Sequence, residues 1–433
     1  MGCWFRRGML VPLVAVFGLV ASAVPVGAST TFLSVVRSNW EIAHTAEGWN
    51  VHRDGGTSVV VPGQPGRSMW FFGDHYFTDA AGDPLYGDFS FWPGTRAAIS
   101  VNTPGQVPSL SEVPPPGLHG AAGPAIVVPN DDAPQPTPFL PAPTGLVNPS
   151  TGGPCGASGS NSLPVAWYEG ATPGPAGPMT VYDGTTPVNV AEAADLLFIP
   201  YLEGCLYDIV DGSFQIIVPR LGMAVYEPAR NSILAQRTIF TAPAGQSVPW
   251  QQSLGSPVFH GGYLYTYGAH CDSWVEALKS CAITGGPSAP AGRVVQLRVL
   301  QGQLHQPESY QWKTASDWGS VGDATTILPT PAANGLGPIW ARVKDFRSIG
   351  EGFVLTEQFS YGAHYRLWQA PAPTGPWSLV ETDQFASCPT TTGTFCYGLE
   401  GHPEISTASN IVFTLFDHGT GGELEANSLG PLP

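Results

Sequence analysis

One short unit recurs five times along this chain. It is an apolar strand after a polar or Gly-rich start, a strand rich in aromatics, and a third apolar strand. The first copy runs through Arg53–Val61, Ser68–Asp74 and Arg96–Val101. A blurred second copy uses Val165–Gly170, Leu196–Tyr201 and Met223–Glu227. The third has Gly255–Phe259, Tyr263–Gly268 and Arg293–Val299, and the fourth Ile339–Val343, Gly352–Thr356 and Tyr365–Trp368. The fifth opens at His402–Ser406 and continues through Asn410–Asp417. Helical periodicity is nearly absent, with Val190–Leu197 the best candidate. A repeated strand unit of this length buries its faces only by stacking on its neighbours. Radial stacking leaves short, protected edges. The pattern therefore predicts an all-β fold, a five-bladed β-propeller. The fifth unit lacks an outer strand, and Thr31–Ile42 is predicted to supply it.

The remaining segments set the context. Arg6 and Arg7, an apolar run from Met9 to Val24, and Val26-Gly27-Ala28 predict a signal peptide over residues 1–28. Residues 29–433 are then one propeller domain, secreted or held in the cell envelope and read as a monomer, with no membrane span once the signal is removed. Thr103–Pro164 is dense in Pro and Gly and reads as a blade-to-blade connection, with a lid over the axis as the alternative. Six cysteines follow the signal, an even number that suits three disulfides in an exported chain. Cys271 with Cys281 and Cys388 with Cys396 are the close pairs, leaving Cys155 with Cys205; six cysteines allow about fifteen connectivities. No zinc spacing, phosphate loop or other cofactor motif is present, so neither metal nor cofactor is expected. The net charge of −16 repels phosphate backbones, which argues against a nucleic-acid partner. A neutral partner suits the charge better.

The first unit also carries a family pattern. Its RDGG…WFFGD run, Arg53 to Asp74, resembles the opening of the five-bladed propellers of the DUF4185 domain. Shorter runs from Gly255, Ala370 and Gly401 are similar to later parts of those propellers. His75 stands where that pattern carries a small hydroxyl residue. Members of the family include hydrolases that cut D-arabinan. The resemblance implies a secreted glycoside hydrolase-like protein acting on a poly- or oligosaccharide of cell-wall or plant origin, arabinan-type favoured. The rival expectation is a non-catalytic propeller that binds glycan or protein at the cell surface.

Glycoside hydrolysis takes two carboxyl groups across the scissile bond. In a propeller, residues at the starts of inner strands gather around the axis. Asp54 is the first candidate: Arg53 would hold it ionised as base or nucleophile, and Gly55-Gly56 would admit a sugar. Asp-Gly is equally an ordinary turn dipeptide. Asp74 is the second carboxylate or a turn cap. Glu169, beside Trp167 and Tyr168, is a general-acid candidate or a solvated strand end. Glu404 is read as acid or supporting carboxylate. His402, Trp167, Arg53 and Lys344 are the candidate sugar contacts; a blade-locking hydrogen bond is the alternative for His402 and Glu404, and a surface ion pair with Asp345 is the plainer reading of Lys344.

Overall fold

The computed structural model describes residues 30–37, 50–78, 91–92, 94–118, 138–210, 213–245, 247–248, 254–270, 273–275, 280–282, 293–320, 324–328, 336–358, 364–384, 396–417 and 423–432. The signal segment and Cys271 lie outside these residues.

Five antiparallel sheets follow one another along the chain. From the inside outward, the first blade is Thr57–Val61, Gln64–Phe72, Arg96–Val101 and Leu110–Glu112. The second is Ser162–Tyr168, Leu197–Val210, Ser213–Glu227 and Ser232–Thr241, with Gly117–Leu118 added in parallel at its edge. The third is Leu254–His260, Tyr263–His270, Arg293–Leu300, Gln311–Lys313 and Trp318–Gly319. The fourth is Trp340–Asp345, Phe353–Gln358, His364–Ala370 and Ser378–Gln384. The fifth is Cys396–Gly401, Ile411–Asp417 and Glu423–Leu429, completed on its outer edge by Thr31–Val35. Thr31 pairs with Ser428, so the first described strand completes the last sheet.

Sequence explains why these strands stack face to face. The middle strands Phe353–Gln358 and Ile411–Asp417 are buried at every position. Both of their faces therefore need a neighbouring sheet, as in parallel α/β sheets covered on two sides. Five apolar clusters supply that cover, one between each pair of successive blades. Phe71, Ile199 and Tyr226 join the first blade to the second. Leu202, Leu264 and Val295 join the second to the third. Tyr267, Val343 and Trp368 join the third to the fourth, and Val354, Leu399 and Phe413 the fourth to the fifth. Trp70, Phe72, Val412 and Leu424 return from the fifth to the first, and the ring is closed.

Two expectations shift. The helical candidate at Val190–Leu197 becomes a single 3-10 turn, Ala193–Asp195, between two strands. The fifth inner strand is Cys396–Gly401, and His402–Ser406 is a turn that follows it. Pro403 inside that segment removes a donor that a strand ladder needs. Among the described residues, no helix is long and apolar enough to cross a membrane.

Cys155 and Cys205 form a disulfide that pins the segment before the second blade onto one of its central strands. Cys396 is also disulfide-bonded, and Cys388, its expected partner, lies outside the described residues. The 155–205 bridge closes a loop of 50 residues. Replacing both cysteines by Ser is expected to lower unfolding stability by about 2–4 kcal/mol through the freer unfolded chain. Denaturant unfolding of the double variant checks this; an unchanged midpoint would show the bridge to be dispensable.

A carboxyl-lined cavity at one mouth of the axial channel

Asp54 and Asp74 meet where one ribbon changes sheets. Asn50–Arg53 and His75–Thr78 pair in a small separate sheet, and their continuations, Thr57–Val61 and Gln64–Phe72, pair inside the first blade. The ribbon is pinched between the two ladders. The Asp54 amide donates to the Asp74 carbonyl at 2.8 Å, and the Gly73 amide donates to the Asp54 carbonyl at 2.8 Å. Gly55, at φ +68, lies in the left-handed region that this turn requires. Two residues twenty positions apart thereby present neighbouring carboxyl groups to the axis.

The cavity they enter has a volume of about 470 Å³. Trp167 and Glu169 join it from the second blade, Trp340 and Arg342 from the fourth, and Tyr397 and Glu400 from the fifth. Its floor is an ion-pair network. Arg342 Nη2 lies 3.1 Å from Glu169 Oε2, and its Nε lies 3.6 Å from Glu400 Oε2. Lys344 Nζ lies 2.6 Å from Glu400 Oε1 and donates to Thr57 Oγ1 and the Ser58 carbonyl. Thr57 also donates to Glu400. The Arg342 guanidinium stacks over the Trp340 ring at 4.3 Å. Such a network is costly to bury and holds only because its members pair with one another.

The carboxyl groups differ in acidity. Enclosure by protein pushes the Asp54 pKa up to about 8, reinforced by the Asp74 charge and opposed by a hydrogen bond from Tyr397. Burial also raises Asp74, to about 6, but it accepts from the Gly94 amide and Trp167 Nε1, each at 2.9 Å, which favour its charged form. Within this pair the proton therefore resides on Asp54. Burial raises Glu169 to about 7 against the pull of Arg342. Burial alone would raise Glu400 too, but the Lys344 and Arg342 charges outweigh it and hold its pKa low.

The eight candidate residues divide. Asp54, Asp74, Glu169 and Trp167 line this cavity. Lys344 is buried beneath it, paired with Glu400 instead of Asp345, which binds Arg347 at 2.6 Å. Arg53 is not at the cavity: it pairs with Glu112 at 2.5 Å and stacks over Phe72 at 4.7 Å. With its charge committed to Glu112, it does not hold Asp54 ionised. Glu404 and His402 follow the inner strand instead of opening it. Glu404 lines a separate cavity of about 780 Å³ at the other mouth. His402 is fully enclosed, stacked on Trp70 at 4.5 Å, with Nδ1 2.5 Å from Ser58 Oγ and Nε2 2.7 Å from Thr414 Oγ1. It locks the fifth blade to the first. Arg342, Tyr397 and Glu400 were not singled out from sequence. Among the described residues, no group of three or more His, Cys, Asp or Glu side chains is arranged to hold a metal ion.

Fold and site together define a class: a closed five-bladed β-propeller with a carboxyl-rich cavity at one end of its axis. No protein-family model matches the sequence, and no curated protein matches it. Among solved structures, the chain is similar to an exo-β-1,3-galactanase from Phanerochaete chrysosporium solved with β-1,3-galactotriose. That match has 8% identity and a TM-score of 0.33, and covers 92% of this chain and 66% of that one, just under two thirds of its length. It is also similar to the B. subtilis levansucrase, at 10% identity and a TM-score of 0.35, covering 88% of this chain and 82% of that one. A GH43_1 enzyme from Xanthomonas citri gives 11% identity and a TM-score of 0.36, covering 91% and 93%. Likeness at this level assigns no residue, reaction or substrate to the present chain.

Proposed function

We propose that the protein is a secreted glycoside hydrolase that cleaves a neutral glycan in the axial cavity. One observation carries the reading: four carboxyl groups from three blades line one cavity, Glu400 held ionised by its cations and the other three set apart in acidity, Asp54 above Glu169 above Asp74. Separated acidities assign acid and base roles. Asp54 keeps its proton longest and donates it to the leaving oxygen. Asp74, charged beside it, makes that proton hard to lose. Glu169, held by Arg342, is the carboxylate that attacks the anomeric carbon or activates water. Sequence alone suggested the reverse, with Asp54 ionised by Arg53; the Arg53–Glu112 pair removes the basis for that order. Trp167, Trp340 and Tyr397 give the cavity an aromatic lining suited to the apolar faces of a sugar. The resemblance of the Arg53–Asp74 run supports an arabinan-type substrate.

The direct test is incubation with arabinan, arabinogalactan and other neutral polysaccharides, read as new reducing ends. Binding without product across that panel would replace the hydrolase with a glycan-binding propeller.

The acidities also set a pH profile. Activity needs Glu169 unprotonated and Asp54 protonated. It is expected to rise as pH climbs through about 7, where Glu169 loses its proton. It should fall above about 8, where Asp54 loses its own. The profile of kcat/KM reports these groups in the free enzyme. A profile still rising well above pH 8 would remove Asp54 as the donor.

A further inference from the structure

The inner strand of the third blade presses its backbone against Glu169, a residue that lines the cavity. Its ladder runs Leu254↔Gly268 and Gly255↔Tyr267, then resumes at Val258↔Tyr265, so one extra residue bulges from the strand. Ser256, in the bulge, has φ +51, a region that residues with side chains rarely adopt. Its own hydroxyl is buried and has no hydrogen-bond partner among the described residues. The side chain therefore does not explain the conformation, whereas the backbone does. Ser256 N–H donates to the Glu169 carbonyl at 2.8 Å, and Glu169 N–H donates to the Pro200 carbonyl at 3.0 Å. The Glu169 peptide is gripped on both sides.

The fit leaves no space. A Cβ on Gly255 would lie 1.5 Å from the Glu169 carbonyl oxygen and 2.8 Å from Arg342 Nη1. Gly170, at φ +130, would meet Ser256 N and Pro257 Cδ at 2.8 Å each. Gly255 thus touches the backbone of one member of the Glu169–Arg342 pair and the guanidinium of the other. Strained backbone that its own side chain does not stabilise is a mark of functional geometry.

We infer that the Gly255–Ser256 bulge is a positioning element that holds Glu169 against Arg342. It deepens the hydrolase reading and rests on it only for its effect on turnover. Glu169 ionisation itself is the primary readout, followed by 13C NMR of carboxyl-labelled glutamate and assigned by the signal lost in Glu169→Gln. In Gly255→Ala, the added methyl drives Glu169 from Arg342. The Glu169 midpoint should then rise by about one pH unit, as expected when a carboxylate loses a cationic neighbour. On a cleaved glycan, kcat should fall about 100-fold, the scale of an ångström-level misplacement, with KM changed less than about threefold. Thermal unfolding establishes that the variant is folded. Should it not fold, Pro257→Gly slackens the bulge without adding atoms and should move the midpoint in the same direction by less. A folded variant whose Glu169 midpoint stays at the wild-type value overturns the inference. If the wild-type protein cleaves nothing, the hydrolase reading fails, and the titration still decides the positioning role.

Discussion

Asp54→Asn is expected to slow cleavage of a neutral polysaccharide by about 10²–10⁴-fold, the usual worth of a positioned general acid. The same variant should keep most of its rate on an aryl glycoside with an activated leaving group. That group departs without a proton, so the step Asp54 assists is no longer needed. The contrast between the two substrates is the diagnostic result, because mere damage to the site would slow both alike. It follows from Asp54 standing beside the charged Asp74 and keeping its proton near neutral pH. Equal losses on both substrates would move the donor role elsewhere.

Glu169→Gln is expected to abolish cleavage of both substrates, by at least about 10³-fold, as loss of a reacting group does in other hydrolases. No leaving group removes the need for attack at the anomeric carbon. Gln keeps the shape and a partner for Arg342, whereas Ala would leave a buried guanidinium facing Glu400 alone. Loss of one partner from a buried pair costs about 3–5 kcal/mol, so Gln separates chemistry from stability. Azide added to Glu169→Ala should restore turnover of the aryl glycoside by standing in for the missing carboxylate. Wild-type rates in Glu169→Gln would exclude Glu169 from the reaction.

The sequence made the repeat visible, because strand composition and turn residues are local. The second blade is blurred in the sequence for a local reason too. Its central strands, Leu197–Val210 and Ser213–Glu227, are 14 and 15 residues long, and the short-strand template fits only their inner portions. Sequence alone places the fifth inner strand one segment too late. Cys396–Gly401 contains Gly398 at φ +75 and a register shift between Tyr397 and Glu400, so the alternation that marks a strand is broken there. Glu400 was lost with it, and Glu404 took its place. Sequence does not reveal the partner of Arg53, because Glu112 lies 59 residues away in Leu110–Glu112, an outer strand of the first blade inside the stretch that reads as a Pro-rich connection. The proton on Asp54 was illegible for a different reason: enclosure by neighbouring blades creates it, and no neighbour in sequence reports that. A bulge at Ser256 leaves no compositional trace, although the run Gly255-Ser256-Pro257 is a hint that a strand there is irregular.

Completion of the fifth sheet by Thr31–Val35 has a consequence for how the molecule comes into being. Thr31 is made long before Ser428, so its strand waits unpaired until the strand it pairs with has been made. Until Ile411–Asp417 and Glu423–Leu429 exist, the first blade lacks the apolar neighbours Val412 and Leu424 that cover Trp70 and Phe72. Assembly is then gated by synthesis of the fifth blade's strands. A truncated product does not yield a smaller stable ring but an open arc with a sticky face at each end, suited to proteolysis or to pairing with another incomplete copy.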